Sequence, residues 1–153
     1  MKLRLVRIVL CVLLALTVLL PSVCFADYGS TIPASAVGTK FDILTIKRPE
    51  SLSASTSDKT YTISATGAQG TRVKVYKLDT VNNIGKLVTP ERAIGASGLY
   101  STVVDLSNDS NTFIVYAENS TGSQIVNISI NKIKKSTIDR LKSLTVTIKN
   151  FLG

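Results

Sequence analysis

After residue 26, the side chains able to do chemistry are carboxylates, hydroxyls, amides and basic groups. The sequence has no histidine, and its two cysteines, Cys11 and Cys24, both precede that point. The common zinc sites and Ser-His or Cys-His catalysis are therefore excluded beyond residue 26. The acidic residues are scattered, mostly at predicted turns, and their spacing does not indicate the carboxylate pair of a glycosidase. We predict a protein that is not an enzyme and holds no cofactor.

Residues 108–111 (NDSN) are rich in oxygen atoms, but they lack the acidic residues and the glycine spacing of a calcium-binding EF-hand loop. An Asx turn is the better interpretation of this segment. We therefore predict no metal site.

Two tyrosines are candidates for contact with a glycan. In the alternating pattern described below, Tyr76 and Tyr116 occupy positions that point away from the predicted core. An exposed aromatic ring packs on the apolar face of a sugar ring, so both are candidate glycan contacts. The alternative, which we favour, is that they form ordinary cross-strand pairs, because the sequence contains no tryptophan.

Basic residues concentrate in a predicted amphipathic tail over residues 134–153. From residue 131 to 153 the sequence has six basic residues and one acidic residue, Asp139. Such a charge run attracts a protein partner or an anionic surface. The candidate contact residues are Lys134, Lys135, Arg140, Lys142 and Lys149.

The tail is predicted to be a helix from Ser136 to Leu152, with Ser136 as its N-cap. The alternative is a strand, because Leu144, Val146 and Ile148 alternate with polar residues. A helix of this length is marginal alone in water, so its apolar side must be buried. We expect it to pack on the β domain; a partner, self-association or an anionic envelope surface are the alternatives.

The first 26 residues have the three-part layout of a secretory signal peptide. Three basic residues come first, an apolar run from Ile8 to Leu20 follows, and small residues precede a cut after Ala26. The run is shorter than the roughly 20 residues that span a bilayer. We predict cleavage after Ala26 and a secreted, envelope-associated bacterial protein; an uncleaved membrane anchor is the alternative. Cleavage removes both cysteines and leaves 15 basic and 10 acidic residues.

The segments between signal and tail predict a β domain preceded by a leader. Residues 27–40 are small, polar and interrupted by Pro33, which predicts a flexible leader. From 41 to 133, short runs alternate apolar and polar residues and are separated by turn compositions, which predicts an antiparallel sandwich of seven or eight strands. The residues predicted to face the core are Tyr61, Ile63, Val73, Val75, Tyr100, Val104, Leu106, Phe113, Val115, Ala117, Val126, Ile128 and Ile130.

Several of these segments match one family pattern. They are Arg48-Pro49, residues 61–67 (YTISATG), 70–76 (GTRVKVY), 94–100 (IGASGLY), 104–106 (VDL), 111–117 (NTFIVYA) and a turn at Gly122 before the last strand. Together they resemble the bacterial immunoglobulin-like domain of exported and cell-surface proteins. The resemblance implies an immunoglobulin-like fold, no shared catalytic residues, and a role as a spacer, adhesion or glycan-contacting module. Such domains commonly occur in tandem, whereas this sequence holds one copy, which argues against a pure spacer.

The sequence thus predicts an exported, non-catalytic protein. Its sandwich is expected to contact a protein or a cell-envelope polymer through an edge strand and the basic tail. A carbohydrate-binding module is the alternative. Nucleic acid is not an expected partner, because residues 40–130 carry nine basic and eight acidic side chains and so form no basic patch by composition.

Overall fold

The computed structural model describes residues 28–134, 136, 137 and 139–141. The predicted signal peptide with its cleavage at Ala26 lies outside these residues, as do Lys135, Lys142 and Lys149 of the tail. Ser136, Thr137 and residues 139–141 have helical backbone, in agreement with the predicted start of the tail helix. No helix in this part of the chain is long and apolar enough to cross a membrane.

The described residues form an all-β structure of two sheets. One sheet has six strands in the order β1-β6-β5-β8-β9-β3, and the other has three in the order β2-β4-β7. The nine strands of the described residues are β1 (Thr31–Pro33), β2 (Leu44–Arg48), β3 (Ser53–Thr56), β4 (Thr60–Gly67), β5 (Arg72–Asp79), β6 (Ile84–Ala93), β7 (Leu99–Asp105), β8 (Ser110–Asn119) and β9 (Gly122–Lys132).

The inter-sheet core lies between the two sheets and follows from the two-residue period of the strands. It joins Ile63 and Val104 of the small sheet to Val75, Phe113 and Ile128 of the large sheet. Every residue predicted to face the core belongs to this cluster or, for Tyr61 and Val126, packs against it partly buried. The predicted inward face is therefore confirmed.

The pairing of β3 differs from the predicted antiparallel arrangement. β3 pairs with β9 in parallel, from Ser53 opposite Ser129 to Thr56 opposite Lys132. The chain leaves the small sheet after β2 and joins the edge of the large sheet as β3, where it runs in the same direction as β9. The remaining strand pairs are antiparallel.

The prediction of a flexible leader is wrong for residues 28–40, which we call the N-terminal strap. Its β1 pairs with β6, and Ile32 is completely buried. Gly85 makes room for this strand, because a Cβ there would lie 2.6 Å from Ile32 Cγ2. Small, polar residues predicted mobility, but the buried side chain of Ile32 and backbone hydrogen bonds such as Ala34 N–H to Asn83 O hold this segment in the sheet.

The strap then crosses the outer face of the large sheet to reach β9. Gly38 lies so close to β9 that a Cβ would be 2.7 Å from Gln124 Cα. The crossing ends in hydrogen bonds from Lys40 N–H to Ser123 O and from Ser123 N–H to Thr39 Oγ1, both 2.9 Å. Only a residue without a side chain permits this approach. The strap therefore covers the sheet face between its two ends.

Candidate functional site

The candidate glycan contacts Tyr76 and Tyr116 do point away from the inter-sheet core, but they are buried, at 0% and 1% exposure. They form a second cluster, which we call the outer core, with Ile32 and Ile114. The prediction that they are exposed is wrong, because the N-terminal strap covers them. Neither ring can meet a sugar in this structure.

The Tyr76 hydroxyl bonds to the strap, and the Tyr116 hydroxyl bonds to a glutamate of its own strand. Tyr76 Oη donates to the carbonyl oxygen of Tyr28 at 2.7 Å, and Tyr116 Oη donates to Glu118 Oε2 at 2.8 Å. The ring of Tyr28 packs edge-on against Tyr116, with centroids 5.4 Å apart. Buried polar groups that find partners in this way stabilise the contact rather than weaken it.

Charged side chains surround this end of the strap. Lys74, which is buried, donates to Tyr28 O at 2.8 Å and forms an ion pair with Glu91 at 3.1 Å. Arg72 reaches Glu118 at 2.9 Å. Because each buried charge has an opposite partner, this network is a structural anchor and its groups are already engaged.

Two of the five basic tail residues predicted to contact a partner lie within the described part of the chain. Lys134 and Arg140 are exposed in the structure, and Arg140 lies on helical backbone. Leu141, in the predicted apolar side of the helix, is 59% exposed. Lys135, Lys142 and Lys149 stay predictions.

The edges of the sheets offer backbone hydrogen-bonding groups to a partner, and proteins commonly block such edges. In the large sheet, β1 has three residues and ends at Pro33, and β3 has four residues. The part of β6 beyond β1 contains Pro90, Glu91 and Arg92. Short strands, proline and charge all discourage pairing with another chain.

The β2 edge of the small sheet is blocked as well. Its register shifts between Ile46 and Arg48, and Lys47 adds charge. At its start, Gln124 of the other sheet occupies both backbone groups of Leu44, accepting from its N–H at 2.7 Å and donating to its carbonyl at 3.1 Å. A second strand would have to displace that side chain.

The β7 edge is longer and more regular than the other edges, and it has no proline. It is seven residues long, has regular pairing with β4, and contains no proline, lysine or arginine. Its one charge, Asp105, is the last residue. Leu99 and Val103 are 64% and 60% exposed on the outer face of the sheet. Within the described residues, β7 is therefore the edge best suited to accept another strand.

Hydrogen bonds at the two ends of the β4–β7 pair show which backbone groups face outward. Gly67 N–H donates to Gly98 O at 3.0 Å, and Leu106 N–H donates to Lys59 O at 2.8 Å. In an antiparallel pair, alternate residues face the partner strand. The even-numbered residues of β7 therefore face β4, and Leu99, Ser101, Val103 and Asp105 direct their backbone groups outward.

Local side chains occupy the two ends of this outward row. Leu99 N–H donates to Ser97 Oγ at 3.3 Å, and Asp105 O accepts from Lys77 Nζ at 3.3 Å. Burial lowers the pKa of Lys77, partly offset by the charge of Asp105. The centre of the row, at Ser101 and Val103, has no such partner among the described residues.

A groove of about 470 Å³ lies at one end of the large sheet, beside the turn after β5. Its polar wall includes Asp79, whose pKa falls from 3.8 to about 2 because Asn82 and Lys86 donate hydrogen bonds to the carboxylate. Across the described residues, the acidic side chains do not cluster in groups of three or more that would hold a metal ion. The polar side of the groove is thus a hydrogen-bonded turn, and its described residues do not form a metal site.

No family model and no curated protein matches the chain. An engineered protein of known structure is 17% identical over 60% of this chain and 20% of its own, with a TM-score of 0.44. The endo-beta-1,4-mannanase from Thermotoga petrophila is 10% identical over 63% of this chain and 21% of its own, also with a TM-score of 0.44. This chain spans about a fifth of the length of each.

Sequence reasoning did not single out the β7 edge, although it predicted contact through an edge strand. One signal was present: Leu99 and Val103 are apolar at positions that point away from the core. The outward positions of the neighbouring strand β4 carry threonine and serine instead. Which strand lies at an edge, however, depends on topology.

Proposed function

We propose that this chain is an exported, non-catalytic immunoglobulin-like protein that contacts a protein partner by strand addition at β7. The observation that carries the proposal is the β7 edge, which is open at Ser101 and Val103, beside edges that are short, charged, irregular or capped. Strand addition uses backbone hydrogen bonds for affinity and outward side chains such as Leu99 and Val103 for selectivity.

The immunoglobulin-like assignment is supported by strand order. β2-β4-β7 corresponds to strands A-B-E of that fold, and β5-β8-β9 to strands C-F-G. Loss of the tyrosine face as a contact surface favours protein contact over glycan contact. The basic tail would add attraction to an anionic envelope surface, where each basic residue contributes about 1 kcal/mol.

Export is supported by the sequence of residues 1–26. Production of the full chain in a secreting bacterium, followed by mass measurement of the exported protein, tests it. We expect a chain that begins at Asp27. An exported or membrane-bound chain that keeps residues 1–26 contradicts cleavage.

Retention in the cell envelope tests the contact surface. We expect Ser101→Lys to release the protein into the medium, since it places a charge at the centre of the β7 edge. Thr45→Lys is the matched control, because Thr45 is exposed on the same sheet at the opposite edge. Deletion of residues 136–153 should lower retention while the sandwich stays folded. Equal retention of Ser101→Lys and wild type would contradict the proposal.

A further inference from the structure

The outward residues of β7 are self-complementary: a two-fold rotation about Ser101 places Leu99 opposite Val103. We propose that the strand added to β7 is β7 of a second copy of this chain, in antiparallel register centred on Ser101. The inference rests on the proposed function, since it names the partner of the same edge.

Backbone geometry limits the register. Antiparallel hydrogen-bonded pairs join residues whose backbone groups face each other, so outward residues must pair with outward residues. On β7 these are Leu99, Ser101, Val103 and Asp105. A two-fold axis at Ser101 pairs Ser101 with its own copy and Leu99 with Val103 of the second chain. Symmetry then generates the reciprocal pair.

This register uses the groups that local contacts leave available. The two Ser101 residues exchange two N–H···O=C bonds, and each Val103 N–H donates to Leu99 O of the other copy. These four bonds leave the contacts of Leu99 N–H with Ser97 and of Asp105 O with Lys77 undisturbed. Each Leu99 N–H can then give up its 3.3 Å hydrogen bond to Ser97 Oγ and donate instead to Val103 O of the second copy.

Side chains favour this register over one centred on Val103. On the outer face, Leu99 and Val103 would meet across the junction twice, so all four exposed apolar side chains lose part of their contact with water. Asp105 falls opposite Ser97, which is uncharged. An axis at Val103 instead places Asp105 opposite Ser101 and leaves Leu99 outside the paired strand.

Charge also favours a second copy over a basic or acidic strand. The paired stretch from Leu99 to Val103 is neutral, and its central residue is a small serine that can face itself without a clash. The junction turns two three-stranded sheets into one continuous six-stranded sheet. One strand pair is a small interface, so the association is weak and depends on concentration.

Sedimentation velocity on the chain from Asp27 onward tests the pairing through a charge swap. We expect a concentration-dependent dimer for wild type. Ser101→Lys and Ser101→Asp should each dimerise about fivefold more weakly, because like charges then lie directly opposite. A mixture of the two variants should associate at least as well as wild type. Thr45→Lys should behave as wild type.

A crosslink gives a second measurement. The chain from Asp27 has no cysteine, so Ser101→Cys introduces a single thiol. Paired Cα atoms about 5.5 Å apart lie within the range of a disulfide. Mild oxidation should therefore give a disulfide-linked dimer, whereas Thr45→Cys should form no such link under the same conditions.

The inference would be overturned by a monomer at every concentration, by a dimer that Ser101→Lys leaves intact, or by a mixture that fails to restore association. A dimer lost only on deletion of residues 142–153 would assign the contact to the tail and also overturn it. If the purified chain stays monomeric while Ser101→Lys still abolishes envelope retention, self-pairing is wrong and strand addition to another protein stands. If retention is unaffected as well, the proposed function also falls.

Discussion

The two sheets differ in how much of their outer surface is covered. The outer face of the large sheet carries two tyrosines and is closed by the N-terminal strap, whereas the small sheet ends in an edge with exposed Leu99 and Val103. Aromatic content therefore does not mark the proposed contact surface. The chain uses its aromatic face to hold its own N-terminal segment, and the less conspicuous strand is the one left open.

The comparison first requires that the inter-sheet core and the outer core unfold together. Phe113→Ala should lower the free energy of unfolding by about 4 kcal/mol, because Phe113 is completely buried between the sheets. Urea unfolding, followed by backbone circular dichroism and by tyrosine fluorescence, measures this loss of stability. Leu99→Ala, at an exposed position, should stay within about 0.5 kcal/mol of wild type. Separate transitions for the two signals would contradict a single cooperative unit.

The next largest effect is expected in the N-terminal strap. Ile32→Ala should lower the free energy of unfolding by about 3 kcal/mol, because it removes the buried side chain that fills the space above Gly85. Val37→Ala in the same segment is the control, since Val37 is 77% exposed. If Ile32→Ala left global stability unchanged and only exposed the tyrosines to a quencher, the strap would be a detachable cover.

The tyrosine hydroxyl contact should have a smaller effect. Tyr76→Phe removes the donor to Tyr28 O and should lower the free energy of unfolding by about 1 kcal/mol. Thermal or urea unfolding measures the change. Tyr61→Phe is the control, because Tyr61 packs partly buried against the inter-sheet core. Equal effects of the two substitutions would argue against a specific anchor at Tyr28.

The smallest effect belongs to Asp79, which orders the turn before β6. Asn83 in that turn accepts a 2.9 Å hydrogen bond from Ala34 N–H of the strap. Since the folded pKa of Asp79 is about 2, below 3.8, its charge stabilises the fold above pH 3.8, and this stabilisation is lost as the pH falls toward 2. The stability difference between wild type and Asp79→Asn should therefore shrink across that range.

An NMR titration of the Asp79 carboxyl checks the cause. Asn82→Ala should raise the pKa of Asp79, because the Asn82 side chain makes the largest contribution to lowering it. Asp109→Asn, at another exposed turn, controls for general charge effects on stability. An unchanged Asp79 pKa in Asn82→Ala would contradict the account of the turn.

The alternation of apolar residues predicted the inter-sheet core well, because the side-chain period of a strand is a local property. Tyr76 and Tyr116 show the limit of that reasoning. Their direction followed from parity, but their burial depends on residues 28–40 crossing the sheet, and no local pattern in small, polar residues predicts that crossing. The parallel pairing of β3 and the edge position of β7 are likewise set by topology.

Amide hydrogen exchange of the chain from Asp27, in dilute solution and resolved by NMR, tests the contrast between covered face and open edge most directly. The account predicts slow exchange at Ile32, which pairs with Gly85, and at Thr102 and Val104, whose amides face β4. It predicts fast exchange at Ser101 and Val103, whose amides face outward. Fast exchange at Ile32, or protection at Ser101 and Val103 equal to that of their even-numbered neighbours, would contradict it.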